Sequence, residues 1–225
     1  VFASTLRLCD ELYYRGIANP RLWSRGIDAK LFRAEGPVHD RIAGLPGPIM
    51  LTVGRVATEK NLDAFLGCDI EGTKVVVGDG PSLAALKRRY PQAVFMGALL
   101  GDELASVYRA ADVFVFPSHT DTFGLVMIEA LACGLPVAAF PVPGPLDIVG
   151  SSGRGMNGTL TRAVGALDDD LGAAIRRALN VDRAAAAAYG ASFCWEKCTD
   201  QFEEGLVEAL KGISDQGRSR TIAYA

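Results

Sequence analysis

Short apolar runs alternate with longer amphipathic stretches through most of this 225-residue chain, and no other feature restricts its fold as strongly. Each run has four or five residues, nearly all apolar, which is typical of strands covered on both faces. Alternation of such strands with helices predicts a parallel sheet. The predicted strands are residues 49–53, 74–77, 93–96, 113–116 and 136–140. The predicted fold class is therefore α/β, a parallel sheet wound with helices and followed by a helical C-terminal segment.

Helices are predicted between and after these strands from amphipathic spacing and from residues that favour helix ends. Gly134 followed by Pro136, for example, ends the helix before it. The predicted helices are residues 4–15, 61–66, 81–90, 101–110, 123–133, 145–149, 168–180, 182–189 and 194–211. Residues 20–24 are predicted to form a strand, 34–48 a linker, and 214–220 a polar segment that frays.

The composition excludes several classes of protein. Hydrophobic residues make up 49% of the chain and charged residues 22%, so it is not disordered throughout. Its 23 basic and 26 acidic residues give a net charge of −3, which argues against broad nucleic-acid binding. No apolar run approaches the ~18–20 residues of a membrane helix, and the first residues lack the features of a signal peptide. We therefore expect a cytoplasmic location.

The five cysteines are odd in number and irregularly spaced, which predicts reduced thiols in a cytosolic protein. Cys194 and Cys198 would share one face of a helix, but a zinc site there needs two further soft ligands. The chain has only two histidines. We therefore expect no bound metal.

The loop after the first predicted strand carries two cations just before a helix. Gly54 ends the strand and allows a ligand to approach the backbone, and Arg55 and Lys60 follow it. Two cations in this position can neutralise a diphosphate. The alternative is an ordinary solvated loop with charged side chains.

Glycines also end the next two strands. Gly78 and Gly80 flank an aspartate in a tight turn before a helix, and turn formation alone can explain such a pair. Neither a P-loop nor a GxGxxG pattern is present there. Phe95 and Gly97 end the third strand, where main-chain groups could read the edge of a nucleobase. The alternative places Phe95 in the core.

The loop after the fourth strand is the most informative segment. It leads to a helix predicted to start near Phe123, whose free amides and dipole form an anion site. Asp121 precedes this helix, and Glu129 lies roughly 9 Å along its axis, at ~1.5 Å per residue. A diphosphate at the amides would leave a sugar near Asp121 and a ribose near Glu129. Burial of Glu129 in this apolar helix is costly without a partner, which is either the ribose diol or a structural cation or backbone group.

Four segments resemble, in order, the motifs of one enzyme family. The run PSHTDTFGLVMIEALACGLPV resembles the acidic-x7-Glu motif of the family-four retaining GT-B glycosyltransferases, in a TDTFG variant similar to that of bacterial mannosyltransferases and glycolipid glycosyltransferases. GRVATEKN and VVVGDGP resemble the diphosphate and donor-domain motifs of that family, and RGIDAKLF resembles the junction between its two domains. The resemblance covers about residues 20–211 and implies retaining transfer of a hexosyl group from a nucleotide-diphosphate sugar.

The resemblance also implies a role for each matching residue. Arg55 and Lys60 hold the donor diphosphate, so that neither a metal nor a cofactor is expected, while Glu129 binds the ribose and Asp121 the transferred sugar. The family usually has Glu where this chain has Asp121, which is one methylene shorter. The other expected donor contacts are Gly54, Gly78, Gly80, Phe95, Gly97, His119, Phe123, Gly124 and Leu125. An exposed loop histidine is the alternative reading of His119.

A domain organisation follows from the same resemblance. Residues 1–33 correspond to the end of an N-terminal acceptor domain and the junction, 34–190 to a Rossmann-like donor-binding domain, and 191–225 to a crossover helix with a frayed tail. The rest of the acceptor domain is missing, so the chain alone is expected to be inactive. Trp195 and Phe202 would then form an exposed apolar patch. The implied partners are a nucleotide-sugar donor and a glycolipid or glycan acceptor, and the pattern is compatible with peripheral contact of the full-length protein with the inner face of a membrane.

Two other functions remain open at this point. One is another GT-B enzyme, such as a nucleotide-sugar epimerase or a phosphorylase, although the sequence lacks a lysine motif for pyridoxal phosphate. The other is a non-catalytic nucleotide-sugar-binding module, against which the complete set of Arg55, Lys60, Asp121 and Glu129 argues. The three aspartates at 168–170 look like a metal-binding motif, but they start a predicted helix and are interpreted as a cap.

Overall fold

The computed structural model of the chain describes residues 1–121, 123–156 and 158–221, with side chains up to residue 210. Contacts divide the chain into two compact units. The larger unit is Ile27–Ser192, and the smaller unit combines Val1–Gly26 with Phe193–Ala225.

Eight strands occur among the described residues: β1 (Phe2–Ala3), β2 (Arg21–Leu22), β3 (Ile49–Val53), β4 (Thr73–Val77), β5 (Val94–Gly97), β6 (Val113–Phe116), β7 (Val137–Ala139) and β8 (Gly165–Leu167). The described helices are α1 (Leu6–Tyr14), α2 (Asp40–Ala43), α3 (Leu62–Leu66), α4 (Leu83–Arg89), α5 (Gly101–Ala110), α6 (Leu125–Ala132), α7 (Pro143–Ile148), α8 (Leu171–Ala178), α9 (Arg183–Gly190) and α10 (Trp195–Thr221). A 3₁₀ turn, Thr58–Lys60, follows β3.

The larger unit is built on a six-stranded parallel sheet with the order β5-β4-β3-β6-β7-β8. Counted from β3, this is the order 3-2-1-4-5-6 of a doubly wound Rossmann-like sheet. The strand order reverses between β3 and β6, and ligands of such sheets bind at this switch point, beyond the carboxyl ends of the strands. The predicted α/β fold class is confirmed.

The middle of the sheet carries the core of the larger unit. Every residue of β6 and β7 is buried, as are four of the five residues of β3, because helices cover both faces. Helices α6 and α9 pack almost backbone to backbone, since a Cβ on Gly190 would lie 2.1 Å from the Ala132 nitrogen. This packing fixes the helix that carries Glu129.

Each of the five predicted sheet strands is confirmed within one residue at each end, but several other elements differ from the predictions, among them α2, β8 and α10. The predicted linker 34–48 contains the single-turn helix α2, because Ile42 is fully buried and the His39 amide donates to the Ser106 carbonyl at 3.1 Å. Strand β8 was not predicted, since its three residues include no β-branched or aromatic side chain. Helix α10 continues to Thr221 through the segment 214–220 predicted to fray, because no proline interrupts it; the end of the predicted tail, 222–225, lies outside the described residues.

An aromatic cluster forms the centre of the smaller unit. The Phe202 ring lies 5.0 Å from the Phe2 ring and 4.9 Å from the Trp23 ring, between centroids. The prediction that Phe202 is exposed is therefore wrong, whereas Trp195 is 56% exposed, as predicted. The Cys198 thiol donates to the Ser24 carbonyl at 2.9 Å, so this thiol has a packing role.

Candidate functional site

Two loops meet at the switch point of the sheet, one after β3 and one after β6. The Lys60 ammonium lies 2.5 Å from Oδ1 of Asp121. Asn61 donates from Nδ2 to the Pro117 carbonyl at 3.2 Å, and Ser118 donates from Oγ to the Glu59 carbonyl at 3.4 Å. The structure therefore brings together a predicted cation and a predicted carboxylate that are 61 residues apart in the sequence.

The second carboxylate oxygen of Asp121 has a different environment. Oδ2 is buried and has no hydrogen-bond partner among the described residues. A buried acceptor without a donor costs free energy comparable to a lost hydrogen bond. Asp121 thus offers an oxygen that a ligand hydroxyl could satisfy.

Arg55 differs from Lys60 in its surroundings. Its side chain is 67% exposed, and its guanidinium lies 3.7 Å from the Glu59 carboxylate. An exposed pair at this distance contributes little to stability, so Arg55 is available to a ligand at small cost. Lys60 thus contacts Asp121, while Arg55, in the same loop, contacts Glu59 instead.

Gly78 and Gly80 have a packing role in the loop after β4. A Cβ on Gly78 would lie 1.8 Å from the Gly54 carbonyl oxygen, and one on Gly80 would lie 2.4 Å from the Val56 carbonyl oxygen. The Val56 amide also donates to the Asp79 carbonyl at 2.9 Å. The β4 loop therefore rests directly on the β3 loop, and only glycine permits this approach.

Phe95 and Gly97 end the edge strand β5. The Phe95 ring is packed against the core, and the Lys87 ammonium lies 5.9 Å from its centroid. Beside Gly97, as beside Gly54, no described atom lies within 4 Å of the position of an added Cβ. The side chain of Phe95 thus follows the core alternative, while the backbone at the two glycines is open to a neighbouring group.

Helix α6 begins two residues later than predicted. Gly124 has a left-handed φ of +87° and forms the N-cap, so the helix starts at Leu125. Phe123 is buried and Leu125 is 44% exposed. Glu129 consequently stands four residues into α6, about 6 Å along the axis instead of the predicted 9 Å. Because Gly124 has no side chain, the first amides of α6 lack a side-chain cap and remain suited to an anion.

Glu129 has a partner that the sequence analysis missed. The Tyr108 hydroxyl, from the buried face of α5, donates to Oε2 of Glu129 at 3.0 Å. Burial raises the pKa of Glu129, and the hydrogen bond from Tyr108 opposes that rise. Burial and the nearby carboxylate raise the pKa of Tyr108 well above its ordinary value, so the phenol stays a donor. The signal was a tyrosine on an apolar helix face, since a buried tyrosine hydroxyl usually has a partner.

His119 holds the other side of the β6 loop. The side chain is exposed, and its ring stacks on Phe140 with centroids 4.4 Å apart and planes 25° apart. Phe140 directly follows β7. The loop that bears Asp121 is therefore anchored towards the β3 loop by Ser118 and towards β7 by His119.

The family model described as glycosyl transferases group 1 matches residues 47–180, more than half of the chain. The chain belongs to this family. The matched residues include the β3 loop, the β6 loop and α6, which carry Arg55, Lys60, Asp121 and Glu129.

Relatives of this group 1 glycosyltransferase chain are longer than the chain itself. It is 41% identical over 145 residues to a GDP-mannose-dependent alpha-mannosyltransferase of Mycobacterium tuberculosis, covering 62% of this chain and 38% of the relative. It is 35% identical over 209 residues to a GDP-mannose-dependent alpha-mannosyltransferase of Corynebacterium glutamicum, covering 89% of this chain and 48% of the relative. The chain thus spans about half or less of the length of these relatives.

The fold of this family member matches that of a solved structure. Sucrose-phosphate synthase of Thermosynechococcus elongatus superposes with a TM-score of 0.68 at 28% identity, covering 94% of this chain and 58% of that chain. The predicted Rossmann-like half of a GT-B glycosyltransferase is confirmed.

Of the three aspartates at 168–170, which were predicted to cap a helix, Asp170 is the one that does so, and the helix begins three residues later than predicted. Asp170 is the N-cap of α8 and accepts from the Gly172 amide at 2.9 Å, while Asp168 pairs with Arg177 at 2.7 Å. Within the described ranges, no group of three or more metal-ligating side chains is found. None of the described helices is both long and apolar enough to cross a lipid bilayer.

Proposed function

We propose that this chain is the donor-binding half of a retaining glycosyltransferase that transfers a hexosyl group from a nucleotide-diphosphate sugar to an acceptor. The contact of Lys60 with Asp121 at the switch point carries the proposal, together with the buried, unpartnered Oδ2 of Asp121. A cation and a free carboxylate oxygen side by side match a ligand in which a phosphate adjoins a sugar hydroxyl. Nothing in the described site favours an epimerase, a phosphorylase or a non-catalytic module.

The diphosphate is assigned to Lys60, Arg55 and the first amides of α6. Charge-assisted hydrogen bonds to phosphate are about twice as strong as neutral ones, and a helix N-terminus adds to them. A phosphate arriving at Lys60 would share the ammonium with Asp121. Because these groups supply the positive charge, we expect donor binding without a metal or a cofactor.

The two carboxylates are assigned to the two sugars of the donor. Asp121 stands before α6 and would accept from hydroxyls of the transferred hexose through Oδ2. Glu129, about 6 Å into the helix, would accept from the ribose diol. The shorter side chain of Asp121, where the family usually has Glu, requires the hexose to approach the β6 loop more closely.

The remaining predicted contacts line the same edge of the sheet. Gly54 and Gly97 would allow the donor to lie against the backbone, and the amides of Gly124 and Leu125 would face its phosphates. The other residues of this set would support the site indirectly, by packing in or against the loops that bind the donor. They are Gly78, Gly80, Phe95, His119 and Phe123.

GDP-mannose is the first donor to test, since the relatives reported above are GDP-mannose-dependent mannosyltransferases. We infer a glycolipid or glycan acceptor that is held mainly by chain outside residues 34–190, the proposed donor-binding domain. A cytoplasmic site of action, with peripheral contact to the membrane where the acceptor is a lipid, accords with this proposal.

Calorimetric titration of the 225-residue chain with GDP-mannose, UDP-glucose and ADP-glucose, each with and without EDTA, tests the proposal. We expect saturable binding of one donor, most readily GDP-mannose, unaffected by the chelator. Absence of binding for all three donors at millimolar concentration would contradict a donor-binding half. Loss of binding in EDTA would contradict the assignment of the diphosphate to Lys60 and Arg55.

A further inference from the structure

The hydrogen bond between Tyr108 and Glu129 joins the helix before β6 to the helix after it. We infer that Tyr108 is a positioning residue of the donor site, whose hydroxyl holds the Glu129 carboxylate in the orientation that accepts the ribose diol. This inference rests on the proposed function, in which Glu129 binds the ribose. Tyr108 itself contacts the carboxylate and not the donor.

The ring of Tyr108 is held on two sides by other aromatic rings. Its centroid lies 6.0 Å from that of Phe32, in an edge-on arrangement, and 5.9 Å from that of Phe114. The side chain is fully buried. With its ring fixed, the hydroxyl oxygen is fixed as well, and it lies 3.0 Å from Oε2 of Glu129.

The two carboxylate oxygens of Glu129 have different roles in this proposal. Tyr108 donates to Oε2, so Oε1 is the oxygen that it leaves for a ligand. A carboxylate that lost this bond would rotate about its last torsion, which is broad and two-fold. The hydrogen bond therefore selects one orientation before the donor arrives.

The chemistry of the partner matters as well as its position. Burial disfavours the charged form of Glu129, and the hydrogen bond from Tyr108 favours it. A lysine or arginine in place of Tyr108 would also favour the charged form, but it would compete with the ribose hydroxyls for the carboxylate. A neutral donor that stays protonated stabilises the Glu129 carboxylate without neutralising it. The negative charge then remains available to the ribose hydroxyls.

The test compares GDP with 2′,3′-dideoxy-GDP, which has the same base and diphosphate but lacks the diol. The variants are Tyr108→Phe, which removes one oxygen atom, Tyr108→Met, which removes it with different packing, and Glu129→Gln. Tyr189→Phe is the control, because it removes another partly buried, hydrogen-bonded hydroxyl, one that donates to the Ile148 carbonyl at 2.8 Å and accepts from the Met156 amide at 3.1 Å. The ratio of the two dissociation constants within each variant does not depend on the fraction folded.

We expect both Tyr108 variants to bind GDP roughly three- to tenfold more weakly. This is less than the full loss of a hydrogen bond to a charged group, because the variants misorient the Glu129 carboxylate without removing it. Binding of the dideoxy nucleotide should stay within twofold of the parent chain, and Tyr189→Phe should change neither affinity. In a Glu129→Gln background, Tyr108→Phe should have no further effect on GDP.

The experiment distinguishes failure of the positioning role of Tyr108 from failure of the ribose assignment of Glu129. If Glu129→Gln weakens GDP but the Tyr108 variants do not, or if they weaken both nucleotides equally, Tyr108 has no positioning role. If Glu129→Gln leaves GDP binding unchanged, the ribose assignment in the proposed function fails instead.

Discussion

Lys60 and Asp121 are in contact at the point where the sheet reverses its strand order, with Nζ of one 2.5 Å from Oδ1 of the other. Both side chains are partly buried, with 27% and 22% exposed. The pair links the loops after β3 and β6 and leaves Oδ2 of Asp121 without a partner among the described residues. A nucleotide-sugar donor would supply both the anion that Lys60 can bind and the hydroxyl that Asp121 lacks.

Lys60→Ala should weaken GDP binding by about 1.5–3 kcal/mol, or roughly 10- to 150-fold, because it removes a charged hydrogen bond in a partly buried site. Arg55→Ala should weaken GDP binding less, because the Arg55 side chain is 67% exposed and must lose water before it binds the phosphate. Isothermal titration calorimetry measures both. Lys197→Ala, an exposed lysine on α10, controls for the change in net charge. Equal affinity in Lys60→Ala and the control would remove Lys60 from the diphosphate site.

Asp121→Asn and Glu129→Gln should separate the two sugars of the donor. Asp121→Asn should weaken the binding of GDP-mannose, because the carboxylate is proposed to contact the hexose. It should not weaken the binding of GDP, which has no hexose, since loss of the carboxylate also frees Lys60 for the phosphate. Glu129→Gln should weaken GDP and GDP-mannose alike, since both carry the ribose. Parallel titrations of the two ligands test this assignment. If Asp121→Asn weakens GDP as much as GDP-mannose, the assignment of Asp121 to the hexose fails; if Glu129→Gln weakens only GDP-mannose, the assignment of Glu129 to the ribose fails.

The sheet could be predicted closely from sequence because its strands are short and uniformly apolar. Strands β3 and β6 were predicted to the residue on that signal. The start of α6 was not, because a left-handed Gly124 delays the helix and nothing in the sequence PSHTDTFGLV specifies its φ. The pairing of Tyr108 with Glu129 also escaped prediction, since a contact between residues 21 apart depends on how two helices flank one strand.

Gly78→Ala should destabilise the chain whether or not the donor is bound. An added Cβ would stand 1.8 Å from the Gly54 carbonyl oxygen, so one of two backbone segments must move, at a cost of about 1–3 kcal/mol or more. Urea denaturation gives the change in free energy of unfolding. Gly44→Ala is the matched control, because its φ is −84° and its nearest neighbour would be 3.6 Å away. Equal stability of the two variants would mean that Gly78 is kept for a reason other than the packing of the two loops.

Glu129→Gln should make the ligand-free chain more stable near neutral pH. Burial raises the pKa of Glu129 above its ordinary value of 4.5, so the folded chain binds a proton more tightly than the unfolded chain does. The stability contributed by that proton is fully present below pH 4.5 and is lost as pH rises through the folded-state pKa. The variant should therefore match the parent near pH 4 and gain on it as pH increases. Urea denaturation of both chains from pH 4 to pH 8 measures the difference, and a constant difference across that range would mean that Glu129 is not destabilised by burial.

The 225-residue chain should bind a donor without transferring its sugar at a useful rate. It covers only 38% and 48% of the two mannosyltransferases reported above, and the acceptor is proposed to be held mainly by the remainder of such a protein. Holding two reactants in a productive geometry supplies about 7–11 kcal/mol in favourable cases, a contribution that a donor site alone cannot make. The measurement is transfer from radiolabelled GDP-mannose to an extract of bacterial glycolipids, with the Corynebacterium glutamicum enzyme as the positive control and Lys60→Ala as the negative one. Transfer by this chain at a rate comparable to the control, and lost in Lys60→Ala, would show that residues 1–225 already contain an acceptor site.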